Sequence, residues 1–276
     1  MSIYIHPTSK KSLDALFGQA PHAALITGAA GIGLATIAQH YASISGKTVV
    51  TVLPEKDEKI DIEKGSITVD SIRRLYDLTK TIDTTGRVII IDYAERMGVP
   101  AQNAFLKLLE EPTQGTQFIL LSHTPESLLP TIRSRSQHVN IRAITLEQSH
   151  ELLDTLGVRD ATKRTQLLFI AQGLPAELTR LVHDEAHFAS RAEIIKDARE
   201  FMTGSAYRRL MVAKKYKESR SRALILLEDA IKQLEQAIAK GGRDDMVRVL
   251  ARLETLHRRL YEQGNVRLQL SSAVLL

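Results

Sequence analysis

The chain has 276 residues, 43% hydrophobic and 25% charged, enough for two or three modest domains and too ordinary in composition for a peptide-like module or general disorder. It has no Cys, which excludes disulfides and thiolate-held zinc or iron–sulfur clusters, and its 9 His show no HExxH or close-paired ligand spacing. The 37 Lys and Arg against 32 Asp and Glu leave a net charge of +5, compatible with a nucleic-acid neighbourhood without requiring one.

No run reaches the roughly 18 to 20 uncharged apolar residues of a membrane helix. Charge also interrupts residues 1–16, so a cytoplasmic protein without membrane contact is expected. In chain order, β-branched apolar runs at residues 23–27, 47–53, 87–91 and 117–122 predict four strands. Val88, Ile89, Ile90 and Ile91 read as a strand buried on both faces. Helical patterns at 33–43, 69–79 and 101–109 alternate with these strands, which predicts a three-layer α/β core with a parallel sheet.

Past about Thr145 the strand signal ends. Residues 146–156 and 163–171 read as short amphipathic helices, and Gly173 and Pro175 open another, giving a small helical subdomain. From about Arg191 onward long helical patterns dominate, including 224–239 and 246–261, separated by the Gly241-Gly242 break. The expected regions are therefore 1–143, 144–190 and 191–276. Leu224, Leu227, Ile231, Leu234 and Ile238 recur at three- and four-residue steps, as do Val249, Leu253, Leu256 and Leu260. The apolar end Ala273-Val274-Leu275-Leu276 is easier to bury against a neighbour than to leave in water.

After the first strand comes Gly28-Ala29-Ala30-Gly31-Ile32-Gly33-Leu34-Ala35, the glycine frame and strand-loop-helix setting of a phosphate-binding loop. That chemistry needs a Lys after the last Gly and then a Ser or Thr for Mg²⁺, and these positions hold Leu34 and Ala35. Thr36 is one residue late, a rotation of about 100° on a helix. The third strand ends in Asp92-Tyr93-Ala94-Glu95, with an Asp where a Mg²⁺ ligand stands in nucleoside triphosphatases and Tyr93 in the water-activating position. These residues leave two readings open: a plain strand-to-helix turn, or weak nucleotide binding through backbone N–H groups aided by Asp92.

Three further segments are more specific. They are Asp92-Tyr93-Ala94-Glu95-Arg96-Met97, then Asn103-Ala104-Phe105-Leu106-Lys107-Leu108-Leu109-Glu110-Glu111-Pro112, then residues 125–136 with Arg133-Ser134-Arg135-Ser136. In this order and spacing they resemble the AAA+ subunits of the bacterial DNA polymerase III clamp loader, and within that family the delta prime type. The similarity extends back to residues 69–75 and forward to 264–270.

The resemblance implies an AAA+ core, a helical lid and a C-terminal helical collar through which subunits join in a ring with motor subunits and delta. It also implies a sliding clamp and primed DNA as partners of the assembly. Arg135, in the family's Ser-Arg-Cys motif, is implied to be an arginine finger for a neighbour's ATP site, with Ser134 beside it and Ser136 replacing the Cys. Without the resemblance, Arg133 and Arg135 would read as surface ion pairs. The family's catalytic Lys, Ser/Thr and Glu correspond to Leu34, Ala35 and Tyr93, and the lid's sensor-2 Arg to Ala176. The family's zinc module is missing, residues 45–64 being short and mixed in charge, and Ser122 and His123 at the sensor-1 position read as structural.

The expectation is thus a subunit that is not itself an enzyme, has no cofactor of its own, and acts in trans. A divergent ATPase using Asp92 is one alternative. The other is a DNA-binding adaptor using Arg208, Arg209, Lys214, Lys215, Lys217, Arg220 and Arg222.

Overall fold

The computed structural model describes residues 3–62, 64–80, 85–239, 241, 244–262 and 264–272. Gly242 and the apolar end 273–276 lie outside these. The chain divides into two compact units, Met1–Val182 and His183–Leu276. In the first unit the elements run α1 (Pro7–Gly18), β1 (Ala23–Thr27), α2 (Leu34–Ile44), β2 (Thr48–Val52) and the short pair β3 (Glu55–Lys56) and β4 (Lys59–Ile60). Next come α3 (Val69–Lys80), β5 (Arg87–Ile91), α4 (Val99–Glu110), β6 (Thr116–Ser122), α5 (Pro130–Ser134) and β7 (Gln137–Asn140). Helices α6 (Leu146–Thr155), α7 (Ala161–Ala171) and α8 (Pro175–His183) follow.

Five strands pair in parallel in the order β2-β5-β6-β1-β7. The three central strands are buried throughout, and their alternate side chains feed two separate cores, as the two-residue period of a strand demands. Leu25, Ile89, Ile91, Phe118 and Leu120 face Ile72, Leu75, Phe105 and Leu108 of α3 and α4. Ile26, Val88, Ile90, Ile119 and Leu121 face Leu13, Leu34, Ile37 and Ala38 of α1 and α2. Phe105 meets Phe118 edge to face at 5.2 Å. Each such side chain contributes about 1.5–3 kcal/mol of burial, which makes this three-layer packing the frame of the unit.

Helices α1 and α5 and strands β3, β4 and β7 go beyond the sequence expectation. Helix α1 has Pro7 in its first turn and His6 as its N-cap, accepting the Thr8 N–H. Its mostly polar sequence hides it from periodicity, since it buries only Ser9, Leu13 and Leu16. Strand β7 has one apolar residue in four and exists because β1 offers it an open edge, with Ile26 opposite Val139. Helix α6 begins with a capping box between Thr145 and Gln148, and the Gln148 amide also donates to the Ile5 carbonyl, tying the helix to the chain ahead of α1.

The second unit is all helical: α9 (Glu185–Thr203), α10 (Ala206–Tyr216), α11 (Arg220–Ala239), α12 (Asp244–Tyr261) and α13 (Val266–Ser272). The division between units lies at 182/183 rather than at the expected 190/191, which falls inside α9. Phe201, Tyr216, Leu226, Leu227, Leu253, Leu260 and Leu270 make its core. The buried stripe of α11 is centred on Ala223, Leu226, Leu227, Ala230 and Leu234, and the expected Leu224, Ile231 and Ile238 flank it half-buried. Among the described residues no helix is long and apolar enough to cross a membrane.

Arg191 of α9 grips Asp229 of α11 with two hydrogen bonds of 2.8 and 3.1 Å, and the Asp229 side chain is only 4% exposed. Burial holds this carboxyl above its ordinary pKa and Arg191 pulls it back down. Removing one partner strands a buried charge. Asp229→Ala is therefore expected to cost about 3–5 kcal/mol in urea unfolding, whereas Arg191→Met with Asp229→Leu recovers most of that loss.

Candidate functional site

The glycine loop joins β1 to α2, with Gly31 and Gly33 both left-handed at φ +86° and +88° and Gly33 serving as the N-cap. Leu34, where a phosphate-gripping Lys would stand, turns inward instead. It is 2% exposed in the apolar cluster of Ile26, Ile32 and Ile37, and Ala35 packs against the same cluster. Thr36 is exposed. The first turn of α8 sits directly on the loop, where the Glu177 N–H donates to the Gly31 carbonyl at 3.0 Å. A Cβ at Gly31 would lie 2.8 Å from Glu177 Cβ, and one at Gly33 would lie 3.5 Å from Ala176 Cβ. Here the glycines admit a helix at close range.

At the end of β5, Asp92 is buried and accepts the Tyr93 N–H at 3.0 Å. Burial raises its pKa, against the opposing pull of that N–H and of His123. Tyr93 is left-handed at φ 54°, a strained position for a non-glycine residue. Its phenol is raised by burial and by Asp92 and Glu95, while Arg96 and Arg180 pull it down. Arg180 lies one turn beyond Ala176 on α8.

His123, expected to be structural, connects three segments. Its Nδ1–H donates to the Gly28 carbonyl at 2.8 Å, its N–H donates to Glu95 Oε1 at 3.3 Å, and its ring meets Tyr93 edge-on at 5.6 Å. Ser122 is fully buried and accepts the Thr124 N–H. The other Glu95 oxygen is buried without a hydrogen-bond partner among the described residues. The loop, the end of β5 and the end of β6 are thus joined by protein groups, with a histidine and a tyrosine between two carboxylates.

Arg135 lies elsewhere. It caps the C-terminus of α5, two residues before β7 begins. Because β7 runs parallel to β1 with Gln137 beside Ala24, Arg135 lies at the sheet edge where strands start, whereas the glycine loop lies where they end. About 16–20 Å of strand separates the two levels. The Ser136 hydroxyl is buried and donates to the Ile132 carbonyl at 3.0 Å, and Ser134 donates to the Thr131 carbonyl at 3.1 Å. These bonds fix the backbone on both sides of Arg135. Its guanidinium reaches Glu110 Oε1 at 3.0 Å and the Thr131 carbonyl at 3.4 Å, with the side chain 39% exposed.

The basic run in the second unit is largely taken up inside that unit. Lys215 pairs with Glu193 at 2.8 Å and Asp197 at 2.5 Å, Arg222 with Glu193 at 3.4 Å, Arg208 with Glu200 at 3.6 Å and Lys217 with Glu218 at 3.3 Å. Arg209 and Arg220 donate to the carbonyls of Met202 and Leu260. Among the described residues, no three His, Asp or Glu side chains gather as a metal-holding group.

The family model described as "DNA polymerase III, delta subunit" matches residues 45–145. DNA polymerase III subunit delta' of Pseudomonas aeruginosa is 31% identical over 227 residues, covering 72% of this chain and 67% of that protein. The chain belongs to the DNA polymerase III delta prime family. The gamma/tau subunit of Mycobacterium bovis is 30% identical over 167 residues, 54% of this chain and 29% of that longer protein. Among solved structures, the Holliday junction branch migration motor RuvB of Thermotoga maritima aligns with a TM-score of 0.50 at 15% identity, over 86% of this chain and 78% of that one. The fold is AAA+: a parallel P-loop-type core, a small helical lid and a C-terminal helical domain.

Two outcomes follow from the loop geometry. Gly31→Ala forces a side chain into a left-handed position against Glu177, so thermal unfolding should show a loss of about 1–3 kcal/mol. For Asp92 the folded pKa lies above the ordinary 3.8, so its ionisation costs stability. That cost is absent below the unfolded value and complete above the folded one. Asp92→Asn should therefore raise the melting midpoint at pH 7, with the gain fading toward pH 3; a gain independent of pH would contradict this.

Proposed function

We propose that this chain is the delta-prime-type, non-hydrolysing subunit of a bacterial DNA polymerase III clamp loader. In this reading it supports a cytoplasmic ring of motor subunits and delta, the second unit serves as its collar, and Arg135 enters the ATP site of an adjacent motor subunit while the ring loads a sliding clamp onto primed DNA. The observation that carries the reading is topological. Arg135 and the chain's own glycine loop lie at opposite edges of one parallel sheet, so a phosphate touched by this guanidinium belongs to another chain.

The loop supports the same division of labour. Leu34 is in the core, the N-terminal turn of α8 covers Gly31, and His123 holds the Gly28 carbonyl. A guanidinium is permanently charged, planar and able to fork onto phosphate oxygens, which suits it to stabilise the charge of a phosphoryl-transfer transition state. Such a finger supplied in trans contributes about 10³ to 10⁵ in rate. The carboxylates of Glu193 and Asp197 beside Lys215 and Arg222 lower the net charge that the basic run presents, which weakens the adaptor alternative.

Reconstitution with the motor subunits is the test. Arg135→Ala should cut hydrolysis at the one site it serves by about 10³-fold or more, leaving assembly intact. Unchanged DNA-stimulated hydrolysis would refute the finger. Calorimetry on the isolated chain should show no uptake of Mg-ATP, and micromolar affinity lost in Asp92→Ala would instead establish the chain as a nucleotide-binding subunit.

A further inference from the structure

We propose that Glu110 is the resting partner of Arg135, a carboxylate that occupies the guanidinium until the phosphate oxygens of a neighbouring ATP site displace it. The inference rests on the reading of Arg135 as a finger and adds to it a defined off position. In this chain both ends of the guanidinium are tied back to their own unit, one to Glu110 Oε1 at 3.0 Å and one to the Thr131 carbonyl at 3.4 Å. To reach another chain it must leave both.

The position of Glu110 supports a role beyond packing. It is the last residue of α4, and Glu111 follows as the C-cap, so two carboxylates adjoin the negative end of a helix macrodipole. That placement is unfavourable for the helix alone, and Arg135 is the cation that meets Glu110 there. The partners are also matched for release. Their side chains are 39% and 49% exposed, and an ion pair in that setting is weak and screened by salt. With the backbone fixed by Ser134 and Ser136, only side-chain rotation is needed. A triphosphate in a closed, dry site offers charge-assisted, bidentate bonds that outcompete a single exposed carboxylate.

Competition of this kind acts on binding rather than on the chemical step. In the reconstituted assembly with primed DNA, Glu110→Gln and Glu110→Ala should each lower the KM for ATP by about 1.5- to 5-fold, the range of an exposed ion pair. The shift should appear in KM rather than kcat, shrink as ionic strength rises, and vanish in an Arg135→Ala background. An unchanged or raised KM in both variants, or the same shift with Arg135 already removed, overturns the inference while leaving the finger intact. Failure of the finger reading has a separate signature, since Arg135→Ala would then leave hydrolysis unchanged.

Discussion

A parallel sheet has a direction, and in this protein that direction separates two chemistries. Every strand of the five-stranded sheet starts at one edge and ends at the other. The glycine loop follows β1, Asp92 follows β5 and His123 follows β6, so all three gather at the finishing edge. Glu110 closes α4 ahead of β6, and Arg135 closes α5 ahead of β7, so they meet at the starting edge. No side-chain rotation brings one set to the other. Arg135 therefore stays out of reach of its own glycine loop.

The same frame explains why the glycine loop persists in form. Glycine in a phosphate loop serves either a close ligand or a close neighbour, and both require a backbone free of Cβ. Here the neighbour is α8, whose first turn bonds to Gly31 and packs Ala176 near Gly33. An Arg at 176 and a Lys at 34 would bring two long cations to this contact; alanine and a core leucine let the helix lie flat. The polar remainder, Asp92 and Glu95 around His123 and Tyr93, joins loop to sheet through protein hydrogen bonds.

How much of this the sequence disclosed depended on where each residue takes its stability. Strands β1, β5 and β6 are buried on both faces, so their composition alone marked them, to within a residue. Helix α1 and strand β7 are held by what they touch, His6 at a cap in one case and the open edge of β1 in the other, and they carry too few apolar residues to show a period. The missing Lys at 34 was legible; the burial of its replacement was not. The bonds of His123 to Gly28 and of Arg135 to Glu110 span 95 and 25 residues of sequence, a distance that no local pattern encodes.

The second unit shows how misleading a local charge count becomes once helices pack. Seven cations within residues 208–222 invite a nucleic-acid reading until Glu193, Asp197 and Glu200 are seen across from them on α9. Asp197 also accepts the Tyr216 hydroxyl at 2.7 Å, so that a buried carboxylate, a phenol and an ammonium share one network between α9 and α10. Together with Arg191 and Asp229, this places ionic ties on both flanks of α9, to α10 on one side and α11 on the other. Ties of this kind require one alignment of the helices, because any shift leaves a desolvated charge without its partner. The basic residues of this helical unit help to fix its own geometry, and the crowding of cations at residues 208–222 is in large part the counter-charge of the carboxylates on α9.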